Sequence, residues 1–352
     1  MSKKKIFIRV DSGLKIGTGH MMRCLSLAKI LIDYDFQVCF LSKRLEGNIC
    51  DLIIKNGYEI KYISNTNNKE STSNDVLDVI KIVCKEKEKP FIIVDHYDLD
   101  IEWEKQIKKY VEKLIVIDDL ANRNHVCDLL LDQNLYENME DRYSDLVPAN
   151  CEILVGPEYA LLRKEFLEIR KKAIPRKNLN RIMISFGGSD PNNETIKVLS
   201  ALKKIQMKQI RIDVIIRKTN PNGNKIKEIC DSIENCFLYQ DVENMEEFMI
   251  DSDLSIGAAG ITTWERCCLG LPSIVTIIAD NQVEIVKAIT KKKCIIHLGN
   301  SKETNSEDYE KCIQEINGEI LRDISSNCFK IVDGKGSIRV SEKIYKLLKE
   351  KI

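Results

Sequence analysis

Short apolar runs alternate with segments of helical period along the whole chain. In the first half the apolar runs fall at residues 6–10, 37–41, 59–63, 91–94, 114–117, 128–131 and 151–155. Amphipathic helices are expected from a glycine loop to about residue 34, and over 75–87 and 101–112. The second half repeats the rhythm, with strands at 181–186, 212–216, 236–239, 254–256, 273–278 and 294–298 and helices between them. Strand–helix alternation predicts parallel sheets with helices on both faces. Phe91-Ile92-Ile93-Val94 and Leu114-Ile115-Val116-Ile117 are apolar throughout, which suits strands buried on two sides. The expected class is α/β, with two Rossmann-like domains at 1–155 and 156–352. They would join near Gly156-Pro157, followed by a helix over 159–172 and a basic linker around Pro175. The polar segment 64–74 reads as a mobile loop.

In such sheets ligands bind beyond the carboxyl ends of the strands. After the first strand comes Asp11-Ser12-Gly13-Leu14-Lys15-Ile16-Gly17-Thr18-Gly19-His20. Gly17 and Gly19 let the backbone turn and approach a ligand, and the following helix turns its positive end towards an anion. His20 stands at that mouth, with Arg23 on the same helical face. A lone loop of this kind fits either catalytic machinery or a helix N-terminus with a capping histidine. Later strands end in Asp95-His96-Tyr97-Asp98, Asp118-Asp119, Gly187-Gly188-Ser189-Asp190, the stretch 257–265, and Ala279-Asp280-Asn281-Gln282. Together these turns suggest a nucleotide diphosphate held mainly by the second domain, across a cleft from His20.

Composition narrows the classes. At 43% apolar and 31% charged residues the chain reads as soluble and globular. Lys plus Arg equals Asp plus Glu at 54 each, so charge gives no argument for a nucleic-acid partner. Neither a signal peptide nor a spanning helix is expected. The 13 cysteines lack metal-ligand spacing and read as core hydrophobes of a reducing cytoplasm. No metal is expected, and Asp98-x-Asp100 reads as turn and cap.

The combination Gly17-x-Gly19-His20-x-x-Arg23-x-Leu25-x-Leu27-Ala28, Asp95-His96-Tyr97, Asp118-Asp119 and Gly156-x-x-Tyr159-Ala160-Leu161-Leu162-Arg163-x-Glu165-Phe166 resembles one family. The glycine turns at Gly187 and Gly257 extend the match to about Leu298. The family is the UDP-2,4-diacetamido-2,4,6-trideoxy-β-L-altropyranose hydrolases of pseudaminic acid synthesis, relatives of the GT-B glycosyltransferases. The resemblance implies a GT-B arrangement with an interdomain cleft, and a last helix over about 337–350 crossing back onto the first domain. It implies that water attacks the anomeric carbon and UDP leaves with inversion, without a cofactor. His20 matches the family's histidine and is assigned as the base, since imidazole titrates near neutrality. Gly17 and Gly19 amides would meet charge on the departing phosphate. Arg23 is either a phosphate contact or a salt-bridged helix residue. Asp95, His96 and Tyr97 would line the sugar pocket, although Asp95 fits a turn cap equally. Gly188, Gly260, Ile261 and Thr262 would take the diphosphate, Glu265 the ribose, and Asn281 and Gln282 phosphate or the sugar amide.

Two other classes stand beside a cytoplasmic, monomeric hydrolase. A glycosyltransferase would replace water by an acceptor hydroxyl, but no basic-apolar membrane-docking stretch is seen. A non-catalytic nucleotide-sugar sensor would have no use for His20.

Overall fold

The computed structural model describes residues 3–65, 71–187, 190 and 192–349, which form two compact units. One runs to Arg163 and resumes at Lys335; the other is Lys164–Gly334. The first unit is built from β1 (Lys4–Val10), α1 (Gly19–Leu31), β2 (Phe36–Ser42), α2 (Cys50–Lys55), β3 (Glu59–Tyr62), α3 (Ser71–Val83), β4 (Phe91–Asp95), α4 (Ile101–Ile107), β5 (Lys113–Ile117), β6 (Leu129–Asp132) and β7 (Glu152–Val155). All pair in parallel, in the order β3-β2-β1-β4-β5-β6-β7. Ile6, Ile8 and Val10 pack with Met21, Cys24 and Ala28 on one face, and Phe7 packs with Cys39, Ile92 and Val94 on the other. That alternation buries the sheet on both sides. Strand order reverses between β1 and β4, so the loops leaving those two strands diverge and open a crevice.

The second unit contains α5 (Lys164–Arg170), β8 (Arg181–Ser185), α6 (Glu194–Ile205), β9 (Arg211–Ile216), α7 (Gly223–Asp231), β10 (Cys236–Gln240), α8 (Met245–Asp251), β11 (Leu254–Ala258), α9 (Ile261–Cys268), β12 (Ser273–Ile277), α10 (Val283–Lys291), β13 (Ile296–Asn300), α11 (Ser306–Glu315) and α12 (Gly318–Ile331). Its sheet is also parallel, in the order β10-β9-β8-β11-β12-β13, and reverses between β8 and β11. The last helix, α13 (Gly336–Lys349), belongs to the first unit. Its Val340, Ile344 and Leu347 enter the same apolar cluster as Ile6 and Leu27.

Every expected strand is present, but the expected helix over 159–172 is not. Pro157–Tyr159 is a single 3₁₀ turn, Ala160 is extended (φ −55°, ψ 122°), and only Lys164–Arg170 is helical. Leu161 and Leu162 are buried, and the Leu161 N–H donates to Gln133 Oε1 at 2.9 Å. Burying both leucines and satisfying that amide holds the segment extended against the helical period of its sequence. The polar segment 64–74 also differs, because α3 already begins at Ser71; residues 66–70 lie outside the described ones. The basic linker is anchored rather than free. Arg176 is buried, and its guanidinium donates to the carbonyls of Ile174, Met249, Ile250, Ser252 and Leu269.

Gly336 explains how α13 docks. A Cβ at this position would overlap the Ala160 carbonyl oxygen and the Tyr159 backbone, and the next residue, Ser337, donates to the Leu162 carbonyl at 2.9 Å. Gly336→Ala is expected to lower stability by about 1–3 kcal/mol, the usual cost of forced overpacking. Thermal unfolding should show a midpoint lower by roughly 2–10 °C, and an unchanged midpoint would contradict the close approach.

Candidate active site

In the first unit the site grows from the carboxyl ends of β1, β4, β5 and β6. Gly13 and Gly17 exchange backbone hydrogen bonds of 3.2 and 2.8 Å, and Gly17 supplies the φ of +80° that closes this small loop. Its N–H is therefore committed to the Gly13 carbonyl rather than offered to a phosphate. The loop delivers the chain to Gly19, the first residue of α1, and His20 follows.

His20 Nδ1 lies 2.5 Å from Asp95 Oδ1. Arg23 clasps the same carboxylate through Nε to Oδ2 (2.7 Å) and Nη2 to Oδ1 (2.6 Å). Burial opposes ionisation of Asp95, but Arg23 and then His20 outweigh it and hold the carboxyl well below the usual range. A carboxylate can only accept, so His20 Nδ1 donates to Asp95 and Nε2 is the ring nitrogen left outside this bond. Arg23 Nη1 reaches a second carboxylate, Asp119 Oδ2, at 3.0 Å. Its fork is spent on two aspartates, which favours the salt-bridge reading over a phosphate contact. Tyr97 donates to the other Asp119 oxygen at 2.7 Å and stands edge-on to the His20 ring, 4.7 Å between centroids.

Asp95 is 1% exposed, and both its oxygens are taken by His20 and Arg23, so it orients His20. His96 is also committed. Its Nε2 lies 3.1 Å from Asp11 Oδ2 and its Nδ1 accepts from the Asp98 N–H. Asp11 is paired in turn with buried Arg9 through two bonds of 2.7 and 2.8 Å, and Arg9 continues to Asp75 at 2.6 Å. Asp100 caps α4 by accepting from the N–H groups of Glu102 and Trp103.

Behind Asp119 lies a deeper layer. His125 is fully buried, with Nδ1 2.6 Å from Glu104 Oε1 and Nε2 3.9 Å from Asp118 Oδ2. Burial opposes its charge, yet the two carboxylates push its pKa up to about 9. Tyr143 donates to Asp132 Oδ2 at 3.0 Å. The nearest cation to Asp132, Arg142, is 3.4 Å away and spends an Nη2 bond on the Asp119 carbonyl. Burial, and then the negative Asp119, push Asp132 up to about 7.

In the second unit the corresponding turns follow β8 and β11. Asp190 caps α6, accepting from Glu194 and Thr195 N–H groups at 2.8 and 2.9 Å; Gly188 lies outside the described residues. Gly260 precedes α9, but its N–H donates to Thr263 Oγ1 at 3.2 Å. Ile261 and Thr262 open the helix, half-buried, and Glu265 follows one turn on, also half-buried. Beneath them Arg266 is buried, and its Nη2 donates to the Ala258 carbonyl at 2.7 Å and lies 3.2 Å from Thr263 Oγ1. Burial lowers its pKa to about 10. Asn281 is exposed, whereas the Gln282 Oε1 accepts from the Ile278 N–H at 3.0 Å. Among the described residues no His, Cys, Asp and Glu side chains group as metal ligands, and no helix is long and apolar enough to cross a membrane.

No protein-family model matches the chain. It is 32% identical over 255 residues to the UDP-2,4-diacetamido-2,4,6-trideoxy-β-L-altropyranose hydrolase of Campylobacter jejuni, spanning 72% of this chain and 85% of that protein. The chain belongs to that hydrolase family. The hydrolase likeness is accompanied by 29% identity over 340 residues to an uncharacterised protein of Methanocaldococcus jannaschii, 93% of this chain and 68% of that one. Among solved structures the fold resembles MurG of Acinetobacter baumannii, with a TM-score of 0.71 at 13% identity over 97% of this chain and 99% of that one. The fold of this altropyranose hydrolase relative is thus of the GT-B type, two parallel-sheet Rossmann-like domains.

The structure brings His20, Arg23, Asp95 and Tyr97 into one cluster. Sequence reasoning missed the partners that make it a network: Asp11 with Arg9, and Asp119 with Arg23 and Tyr97. Their signal was available, because each aspartate ends or follows an apolar strand. Asp132 gives a stability test. Its folded pKa, about 7, exceeds the unfolded carboxylate value of about 3.9. Its contribution is therefore fully present below the unfolded value and is lost as pH rises through about 7. Asp132→Asn should gain on wild type between pH 5 and 9, by on the order of 1 kcal/mol or more. Thermal melts across that range, read as a difference so that His125 cancels, should show it; a constant difference would contradict the raised carboxyl.

Proposed function

We propose that the protein hydrolyses a UDP-linked 2,4-diacetamido-2,4,6-trideoxy sugar in pseudaminic acid biosynthesis. Water attacks the anomeric carbon and UDP departs with inversion. The observation that carries this reading is the 2.5 Å pair between His20 Nδ1 and Asp95, which leaves Nε2 to take a proton from water. Family membership supports the substrate class, because the Campylobacter jejuni relative is named for that hydrolysis. UDP is a good leaving group, so a positioned base and charge stabilisation of the diphosphate are the main requirements. The second unit supplies the latter through the first amides of α9 at Ile261 and Thr262, with Arg266 adding positive charge beneath them. Glu265 takes the ribose hydroxyls, and Asn281 grips the phosphate or sugar amide. The scheme calls for no metal, and turnover is expected to persist in EDTA.

The test is incubation with the UDP-sugar and no acceptor, following UDP release and the anomer first formed by NMR. Release without acceptor supports hydrolysis; release only on adding an acceptor would make the protein a glycosyltransferase. His20→Ala should lower kcat by roughly 10²–10⁴ with UDP affinity little changed. Glu265→Ala should instead weaken UDP binding by on the order of 1.5–3 kcal/mol. Near-normal turnover in His20→Ala would remove the base assignment.

A further inference from the structure

We propose that Asp119 is a positioning residue for the His20–Asp95 pair, setting both its geometry and its charge through Tyr97 and Arg23. The contacts form a closed ring. His20 bonds Asp95, Asp95 is clasped by Arg23, Arg23 reaches Asp119, Asp119 accepts from Tyr97, and Tyr97 returns edge-on to the His20 ring. Asp119 is well placed to act as the fixed point of that ring. Its backbone carbonyl accepts from Tyr136 Oη at 2.7 Å and Arg142 Nη2 at 3.0 Å, so the residue is anchored independently of its side chain. Asp118 beside it is held by Arg123 at 2.9 Å and by the Ala121 N–H at 2.8 Å.

Each carboxylate oxygen of Asp119 has a distinct duty. Oδ2 shares the Arg23 guanidinium with Asp95, so Arg23 does not neutralise Asp95 alone. Oδ1 fixes the Tyr97 hydroxyl, and with it the ring that limits rotation of the imidazole. The charged groups that face His20 are Asp95 at the end of β4 and Arg23 on α1, with Tyr97 after β4 completing the wall. Those that face Asp119 are Arg23 and Tyr97 at its carboxylate, Arg142 and Tyr136 at its carbonyl and, from β6, Asp132. Asp119 thus adds negative charge at a point where Arg23 alone serves both its carboxylate and that of Asp95. Negative charge favours the imidazolium that His20 becomes after taking a proton from water. In Asp119→Asn that charge is gone, and an amide cannot serve both neighbours as two acceptors do.

This inference rests on His20 as the base, and its test separates the two. Wild type, Asp119→Asn, Asp119→Glu and His20→Gln are compared by the pH profile of UDP release and by ¹⁵N-histidine NMR titration of the resting protein. The His20 resonance is identified by its loss in His20→Gln, among four histidines in the chain. Asp119→Asn is expected to lower kcat by roughly 10–100-fold with a smaller change in KM. Its acid limb and the His20 titration midpoint should move together to lower pH. Asp119→Glu keeps the charge but alters the reach, so its midpoint should stay with wild type while kcat falls. If Asp119→Asn leaves both midpoint and kcat unchanged, the proposal is overturned, whatever His20 does. If Asp119→Asn loses the native shifts of the other histidines, Asp119→Glu decides alone, and wild-type kcat in that variant overturns the proposal. Normal UDP release in His20→Gln would remove the base reading, and the NMR midpoint would still test the coupling between Asp119 and His20.

Discussion

Four strands of the first sheet lead into carboxylates shut away from water: Asp11, Asp95, Asp118 and Asp132 are each at most 1% exposed. A buried carboxylate must be paired or must stay protonated, and most of the surrounding structure follows from how each is served. Arg9 answers Asp11, Arg23 answers Asp95, and Arg123 with His125 answers Asp118. Asp132 is served by the Asn134 N–H, a tyrosine hydroxyl and Arg142 at 3.4 Å, and it is the one of the four held near neutrality. These pairs tie the ends of neighbouring strands to one another and to α1. The loops at the crevice are therefore tied down where His20 and Tyr97 emerge.

The same constraint accounts for the way the glycine loop works. Gly17 and Gly260 both fell in turns that sequence suggested for anion binding, yet each amide already has a partner within its own turn. The turns act by shape. They start α1 and α9 at fixed places, and so fix where His20 on α1 and Ile261, Thr262 and Glu265 on α9 stand.

The strands were legible because their apolar runs are unbroken and bounded by Gly and Asp. The crevice was legible because strand ends in an alternating α/β chain share one edge. Side-chain pairing was not. Nothing in Asp95-His96-Tyr97 shows that the aspartate turns inward to His20 while the histidine turns aside to Asp11. The stretch Tyr159-Ala160-Leu161-Leu162 has a helical period, and only the burial of both leucines with the Gln133 contact holds it extended. Long-range packing outvoted local preference there.

The membership of α13 in the first unit also bears on how the chain acquires its structure. The apolar cluster that contains Ile6 lacks Val340, Ile344 and Leu347 until all of Lys164–Gly334 has been made. During synthesis, N-terminal regions ordinarily settle first. Here the second unit has its entire sequence available before the first does. The unit bearing His20 completes its core after translation has passed the other, so a ribosome stalled just after Gly334 would hold the second unit with its whole sequence beside a first unit still missing α13.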